Sequence, residues 1–412
     1  MLSQLAAVTQ KAQVFRALRH PNYRWFWLGS STRSMGQGMQ FLIIGWLVLE
    51  LTDSASQLGL MLIIYGIPNM TLVLFGGLFA DRIDRRKLLL VSQAAVTGII
   101  FSLAVLTVTD RVGMWHVYVA IFSLGVLQAL NSPARMAIVA DLVNPDDLMN
   151  AVALNSATMN SGRILGPALA GAIIEVVDIG SALYLNAGFY FLGTLTLLPI
   201  KGLSQRGASG KSGMIGDLVA GLRYFWVTPV AFTVIGMGMA FGFFGMPYIQ
   251  LMPAFAKEVL GLGAAGAGLL LTATGVGSLV GNVGLASLGD TGHKNWILLW
   301  SLIVFGVGLI CLAISPWLWL SWAILLLVGA GGSIVISVMI TILQLTVPGD
   351  LQGRVLSLLY VSAGLMFAGS YPMSLVGEHL NWTVAFAGGS GLCLLVVLIL
   401  GLWLPTLRRL EV

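Results

Sequence analysis

Three arginines fall inside long apolar stretches of this 412-residue sequence, and each has polar neighbours at helical spacing. Arg33 is followed by Gln37 and Gln40 at i+4 and i+7, so a helix through 25–50 would carry all three on one face. Arg135 is preceded by Asn131 and Gln128, four and seven residues back, which repeats the pattern in the stretch 114–140. Arg163 lies near Asn160 in the stretch 151–176. A guanidinium in apolar surroundings is costly unless it meets a partner or a cavity. These groups therefore suit capture of an anion, or of the polar end of an amphiphile, rather than bond-making; the alternative is structural, an arginine that snorkels to a helix end or bonds loop carbonyls. Further along, Tyr248, Gln250, Gln344 and Tyr360 are the amphipathic candidates, with Tyr248 foremost.

The carboxylates are distributed in the opposite way. None of the 16 Asp and Glu falls near the middle of an apolar stretch; Glu50, Glu175, Asp178, Glu258 and Glu378 cluster at the ends on one side. Proton-coupled movement across a membrane commonly uses a buried Asp or Glu, and no such residue stands out here; coupling would run through Glu50 or Glu175, both near an end, or through competition between proton and substrate at a more distant group. His20, His116, His293 and His379 are peripheral, and Cys311 and Cys393 sit in apolar runs without disulfide or metal-ligand spacing. Neither a Gly-x-x-x-x-Gly-Lys-Ser/Thr loop nor a His-Glu-x-x-His pair occurs, so ATP-driven pumping and zinc hydrolysis by this chain are excluded. The expectation is a protein that is not an enzyme and uses no cofactor, metal or nucleic acid. With cations but no anions at depth, its small-molecule ligand should be an anionic or neutral amphiphile.

These residues need membrane helices to hold them. The chain is 58% hydrophobic and 9% charged, with mean hydropathy +0.93, against about 25% charged residues in a soluble domain. At roughly 20 residues per span, its length accommodates about twelve spans with short loops. Apolar runs centre on 25–50, 57–80, 88–109, 114–140, 151–176 and 181–200, then 224–255, 263–289, 295–314, 317–346, 353–377 and 382–405. The reading is an all-α membrane protein in two six-helix bundles, 23–200 and 224–405, joined by a polar linker at 201–223. A basic lead at 1–22, without a cleavable signal, and a tail at 406–412 flank them.

Of the 21 Lys and Arg, only Arg111 and Lys257 fall on one side of this arrangement. Apart from the three within runs, the rest fall on the side of the termini, which the positive-inside rule makes cytoplasmic. Weak repetition supports two related halves: at an offset of 209, Asp81 matches Asp290 and Arg85 matches Lys294, and at 203, Pro145-x-Asp147-Leu148 matches Pro348-x-Asp350-Leu351 and Gly166 matches Gly369.

Between the second and third runs stands Gly77-Leu-Phe-Ala-Asp81-Arg82-Ile-Asp84-Arg85-Arg86. It resembles the major facilitator superfamily signature G-x-L-A-D-R-x-G-R-K, departing at Phe79 and Asp84. In the fifth run, Gly162-Arg163-Ile-Leu-Gly166-Pro167-Ala-Leu-Ala170-Gly171 is similar to the family's antiporter-associated motif, with Ala170 in place of one glycine. Small residues four apart let helices approach closely, and an interior proline bends the helix. Asn131-Ser-Pro133-Ala134-Arg135, Asn144-Pro145-x-Asp147-Leu148 and Leu51-Thr52-Asp53-Ser54 look similar to the drug and siderophore exporter branch that holds macrolide and enterobactin exporters.

The resemblance implies a monomeric secondary transporter in the cytoplasmic membrane with both termini inside. It implies export by alternating access, with proton antiport as the expected coupling; an uncoupled facilitator or channel, an importer, or a non-transporting sensor are the alternatives. Gly77, Asp81, Arg82, Arg85 and Arg86 would form the inner gate, and Gly162, Arg163, Gly166, Pro167 and Gly171 a packed joint. Arg33, Gln37, Gln40, Gln128, Asn131, Arg135 and Tyr248 would contact substrate.

Overall fold

The computed structural model describes residues 15–82, 84–200, 222–289 and 292–403, and of residues 73–82, 350, 402 and 403 only the backbone. Among the described residues there are twelve long helices and no strand. The first six are α1 (Pro21–Thr52), α2 (Ala55–Arg82), α3 (Arg85–Val108), α4 (Met114–Leu142), α5 (Leu148–Val176) and α6 (Ile179–Leu195). They are followed by α7 (Pro229–Glu258), α8 (Ala264–Ser287), α9 (Lys294–Ala313), α10 (Leu318–Thr346), α11 (Gly349–His379) and α12 (Trp382–Trp403).

Ten of these are long and apolar enough to cross a membrane. The other two are α6, which is 17 residues long, and α5, whose hydropathy is diluted by Asn150, Asn155, Asn160 and Arg163. Sequence chemistry sets the ends. The carboxylate of Asp84 accepts from the Lys87 amide at the start of α3, and that of Asp178 accepts from the Ser181 amide at the start of α6. The run at 224–255 is interrupted before Pro229, where Thr228 is extended, so 222–227 is a separate short helix. A π-helical turn at Phe241–Gly245 then sits inside α7.

By contacts the chain forms two compact units, one of residues 1–43 and 67–208 and the other of residues 44–66 and 209–412. The far end of α1 and the first part of α2 are thus grouped with α7 to α12.

In the first unit the described end of the basic lead, residues 15–22, is docked. A single 3-10 turn at Arg16–Arg19 places Ala17 and then Tyr23 and Phe26 in a core with Leu89, Ile138 and Leu154. Arg16 and His20 both reach Asp147, at 2.7 and 2.9 Å, and the Tyr23 hydroxyl donates to the Ala151 carbonyl at 2.7 Å. Helices α1 and α5 touch backbone to backbone, because a Cβ at Gly166 would stand 2.7 Å from the Gly38 Cα, and one at Gly162 2.5 Å from the Ser34 carbonyl carbon. The second unit repeats this contact: Gly369 on α11 faces the Phe243 backbone on α7, and Gly242 faces Ser362. The offset-203 match of Gly166 with Gly369 therefore marks the same packing task in each unit, where glycine lets backbones meet in an environment that supplies little hydrophobic drive between helices.

Candidate functional site

Helix α1 brings Ser30, Arg33 and Gln37 to one face, and α4 brings Gln128, Asn131 and Arg135 to another. The two faces meet through side-chain rungs. Arg33 donates to Gln37 Oε1 at 3.0 Å and to Gln128 Oε1 at 2.8 Å. Below that, Arg135 donates to Ser30 Oγ at 2.9 Å, to Gln93 Oε1 at 2.8 Å and to Asn131 Oδ1 at 3.3 Å, with its guanidinium carbon 5.3 Å from the centre of the Phe26 ring.

Both arginines are 8% exposed. Gln37 and Gln128 are partly exposed, whereas Asn131 and Gln93 are buried, so the Arg33 rung is the more accessible of the two. Among the described residues no ion pair includes Arg135; every acceptor around it is neutral. Burying a charge without a counter-ion costs several kcal/mol, even after hydrogen bonds are counted. A cation kept this way attracts anions to its neighbourhood.

The structure places five of the seven expected contact residues on two neighbouring rungs between α1 and α4, Arg33 with Gln37 and Gln128 on one and Arg135 with Asn131 on the other. Gln40 stands apart, accepting from the Tyr190 hydroxyl at 2.7 Å. Tyr248 is 2% exposed and packs edge-on against Phe305, with ring centres 5.9 Å apart, in the second unit. Sequence reading missed Ser30, Ser92, Gln93, Asn186 and Tyr190. The Asn131 amide donates to Ser92 Oγ at 2.7 Å, and Asn186 donates to the Gly36 carbonyl at 2.6 Å. The available signal was Ser92-Gln93 inside the apolar run 88–109, a polar pair at depth like the ones that were noticed.

Of the residues expected at a gate, Gly77, Asp81 and Arg82 fall where only the backbone is described. Arg85 pairs with Asp141 at 2.7 Å, and Arg86 donates to the Leu198 carbonyl at 2.7 Å. Of the residues expected at a joint, Gly162, Gly166, Pro167 and Gly171 are buried while Arg163 is exposed. Glu50 and Glu175 are exposed as well, and Glu50 accepts from the Trp46 indole at 3.1 Å.

A second polar cluster lies within the second unit, where α1, α7 and α11 finish. Lys257 Nζ meets Asp53 Oδ1 at 2.7 Å and the Leu49 carbonyl at 3.2 Å. Glu378 accepts from the hydroxyls of Ser54 and Ser56, at 2.9 and 2.7 Å, and from the Ser56 amide at the start of α2. The Trp382 indole donates to Glu258 at 2.7 Å. The Lys257 ammonium, by hydrogen bond and charge, holds the Asp53 carboxyl below the usual carboxylate range. Among the described residues no three or more His, Cys, Asp or Glu gather as a metal site would require.

A family profile described as transmembrane secretion effector matches residues 12–411. The chain is 25% identical over 401 residues to the multidrug efflux pump Tap of Mycolicibacterium fortuitum, covering 92% of this chain and 95% of that one. It is 24% identical to the staphyloferrin A transporter of Staphylococcus aureus, over 91% and 94% of the two chains. Against the enterobactin exporter EntS of Citrobacter koseri the figures are 25%, 95% and 93%. In fold it is similar to the nucleoside transporter NupG, with a TM-score of 0.75 at 11% identity over 94% of this chain and 99% of that one. The peptide transporter POT in complex with sulfate gives a TM-score of 0.75 at 15% identity, over 94% and 95%.

Proposed function

The chain belongs to the transmembrane secretion effector family of the major facilitator superfamily, multi-pass membrane transporters of small molecules, and from that premise we propose that it exports an anionic or neutral amphiphile from the cytoplasm. The observation that carries the charge preference is Arg135, buried among neutral acceptors beneath Arg33 on the α1–α4 face. The direction is supported by relatives named as an efflux pump and an enterobactin exporter. Both termini lie in the cytoplasm on this reading, the protein acts as a monomer, and proton antiport supplies the energy, with Glu50 and Glu175 as the groups to test for coupling.

Alternating access supplies the mechanism. The inner gate consists of Gly77, Asp81, Arg82, Arg85 and Arg86, and the α1–α5 glycine contact serves as the joint. Reconstituted in proteoliposomes with an imposed pH gradient, the protein should move a labelled amphiphilic anion at a rate that follows the gradient. Movement that ignores the gradient would instead assign an uncoupled facilitator.

The cluster of Asp53, Lys257, Ser54, Ser56 and Glu378 acts as the outer clasp in this cycle. In a background with Cys311→Ser and Cys393→Ser, Ala55→Cys places a thiol at a position that is 0% exposed beside the clasp. Adding Lys257→Gln and Glu378→Gln should raise its labelling by a membrane-impermeant maleimide severalfold; an unchanged rate would remove the clasp from the cycle. The pH sign follows from Asp53. A lowered carboxyl pKa means the pair is fully formed at and above the ordinary carboxylate range and is lost only as pH falls through the lowered value. The excess of labelling in the Lys257→Gln, Glu378→Gln background over that with the clasp intact, a ratio that cancels the thiol's own pH dependence, should therefore persist as pH falls into the ordinary carboxylate range.

A further inference from the structure

We propose that Gln93 is a specificity-determining residue: its neutral amide holds Arg135 in place without cancelling its charge, and so keeps a second permanent cation beneath Arg33. The inference rests on the reading that Arg33 meets the cargo, and adds to it the group that sets the charge preference from behind.

Gln93 is 1% exposed, and both ends of its amide are used. The oxygen accepts from Arg135 Nη2 at 2.8 Å, while the nitrogen donates to the Tyr190 carbonyl on α6 at 3.3 Å. This fixes the amide the right way round, with oxygen toward the cation. Asn131 is oriented likewise, its nitrogen engaged by Ser92 and its oxygen left for Arg135 Nε. Ser30 completes the set from α1. Where a buried guanidinium merely braces helices, a carboxylate is the cheaper partner, because it cancels the charge as well as accepting the bond. Three neutral acceptors in place of one carboxylate preserve the field.

The field reaches the Arg33 rung. Ser30 and Arg33 are three residues apart on α1, a rise of about 4.5 Å, and each is tied to α4 by a rung. A unit charge roughly 8–10 Å from a bound monoanion, at the effective dielectric found near protein sites, changes its affinity by an order of tenfold or more. Gln93→Glu places a carboxylate against Arg135 and switches that contribution off. Gln93→Met removes the hydrogen bonds but leaves the positive charge.

Binding to purified wild type and variants is measured with two ligands of one ring system, labelled naphthalene-2-sulfonate and the neutral naphthalene-2-sulfonamide. Elution as a single folded species is checked for each protein. Wild type should favour the sulfonate; Gln93→Glu should lower the sulfonate-to-sulfonamide affinity ratio on the order of tenfold, Asn131→Asp should do the same from the other side, and Gln93→Met should keep the preference. A ratio unchanged in folded Gln93→Glu, with sulfonate binding still lost in Arg33→Ala, would overturn the role of Gln93 and leave the site standing. A wild type that shows no preference, or an Arg33→Ala that keeps it, would overturn the site itself and this inference with it.

Discussion

Gly166→Val should lower the melting temperature of this protein by roughly 6–12 °C or more. Even the first added carbon would stand 2.7 Å from the Gly38 Cα, with the Met39 amide nitrogen 2.9 Å away. All of these are backbone atoms of α1, so no side chain can rotate aside. Overpacking in a core costs about 1–3 kcal/mol where side chains can adjust, and backbone against backbone puts this substitution at about 3 kcal/mol or above. That corresponds to a fall in Tm of roughly 6–12 °C on the scale of ordinary domains. Gly98→Ala is the control, since a Cβ at Gly98 meets nothing within 4 Å. It should be neutral or slightly stabilising, because alanine is the better helix former by about 1 kcal/mol. Melting followed by size-exclusion chromatography distinguishes the two. A Gly166→Val protein that melts with wild type would mean that α1 and α5 do not meet as described.

Arg135→Gln should separate stability from binding. The substitution removes the charge yet keeps an amide donor among the three neutral acceptors, so the folded state loses an uncompensated buried cation and part of its hydrogen bonding. Its melting temperature should stay within a few degrees of wild type, while affinity for an amphiphilic anion falls on the order of tenfold or more. Arg135→Ala should behave differently: Ser30, Gln93 and Asn131 would each lose a donor in a buried place, at about 1–3 kcal/mol per orphaned group. A stable Arg135→Gln protein with unaltered anion affinity would make the arginine a brace. The pairing of lost binding with retained stability is the signature of a charge kept for function at the expense of stability.

Much of this molecule was legible in its sequence. Apolar runs give the twelve helices, since only helices and closed barrels satisfy backbone polar groups in lipid, and runs of about 20 apolar residues are twice the length of a barrel strand. The polar face shared by α1 and α4 was legible wherever a charged residue drew attention to its helical neighbours, as at Arg33 with Gln37 and at Arg135 with Asn131 and Gln128. Gln93 and Tyr190 escaped because they carry no charge and sit on α3 and α6, where one amide or one phenol in an apolar run looks like ordinary packing. Gln40 and Tyr248 went the other way: Gln40 has the register of the Arg33 face and Tyr248 was picked as an amphipathic side chain, but each is engaged elsewhere, by Tyr190 and against Phe305. The cluster of Asp53, Lys257 and Glu378 was invisible for a different reason. Asp53, Lys257 and Glu378 lie far apart in sequence, each reads as a loop charge, and only tertiary contact brings them together. The grouping of residues 44–66 with the later helices is likewise a property of packing that no run of hydrophobicity encodes.

The most direct test of the anion site is transport of naphthalene-2-sulfonate out of proteoliposomes by wild type, Arg33→Ala and Arg33→Lys, all verified as folded and equally inserted. Wild-type efflux that Arg33→Ala abolishes and Arg33→Lys partly restores is the expected result, since lysine returns the charge without the two-pronged hold on Gln37 and Gln128. Equal efflux by wild type and Arg33→Ala would contradict it and make the arginine a structural residue.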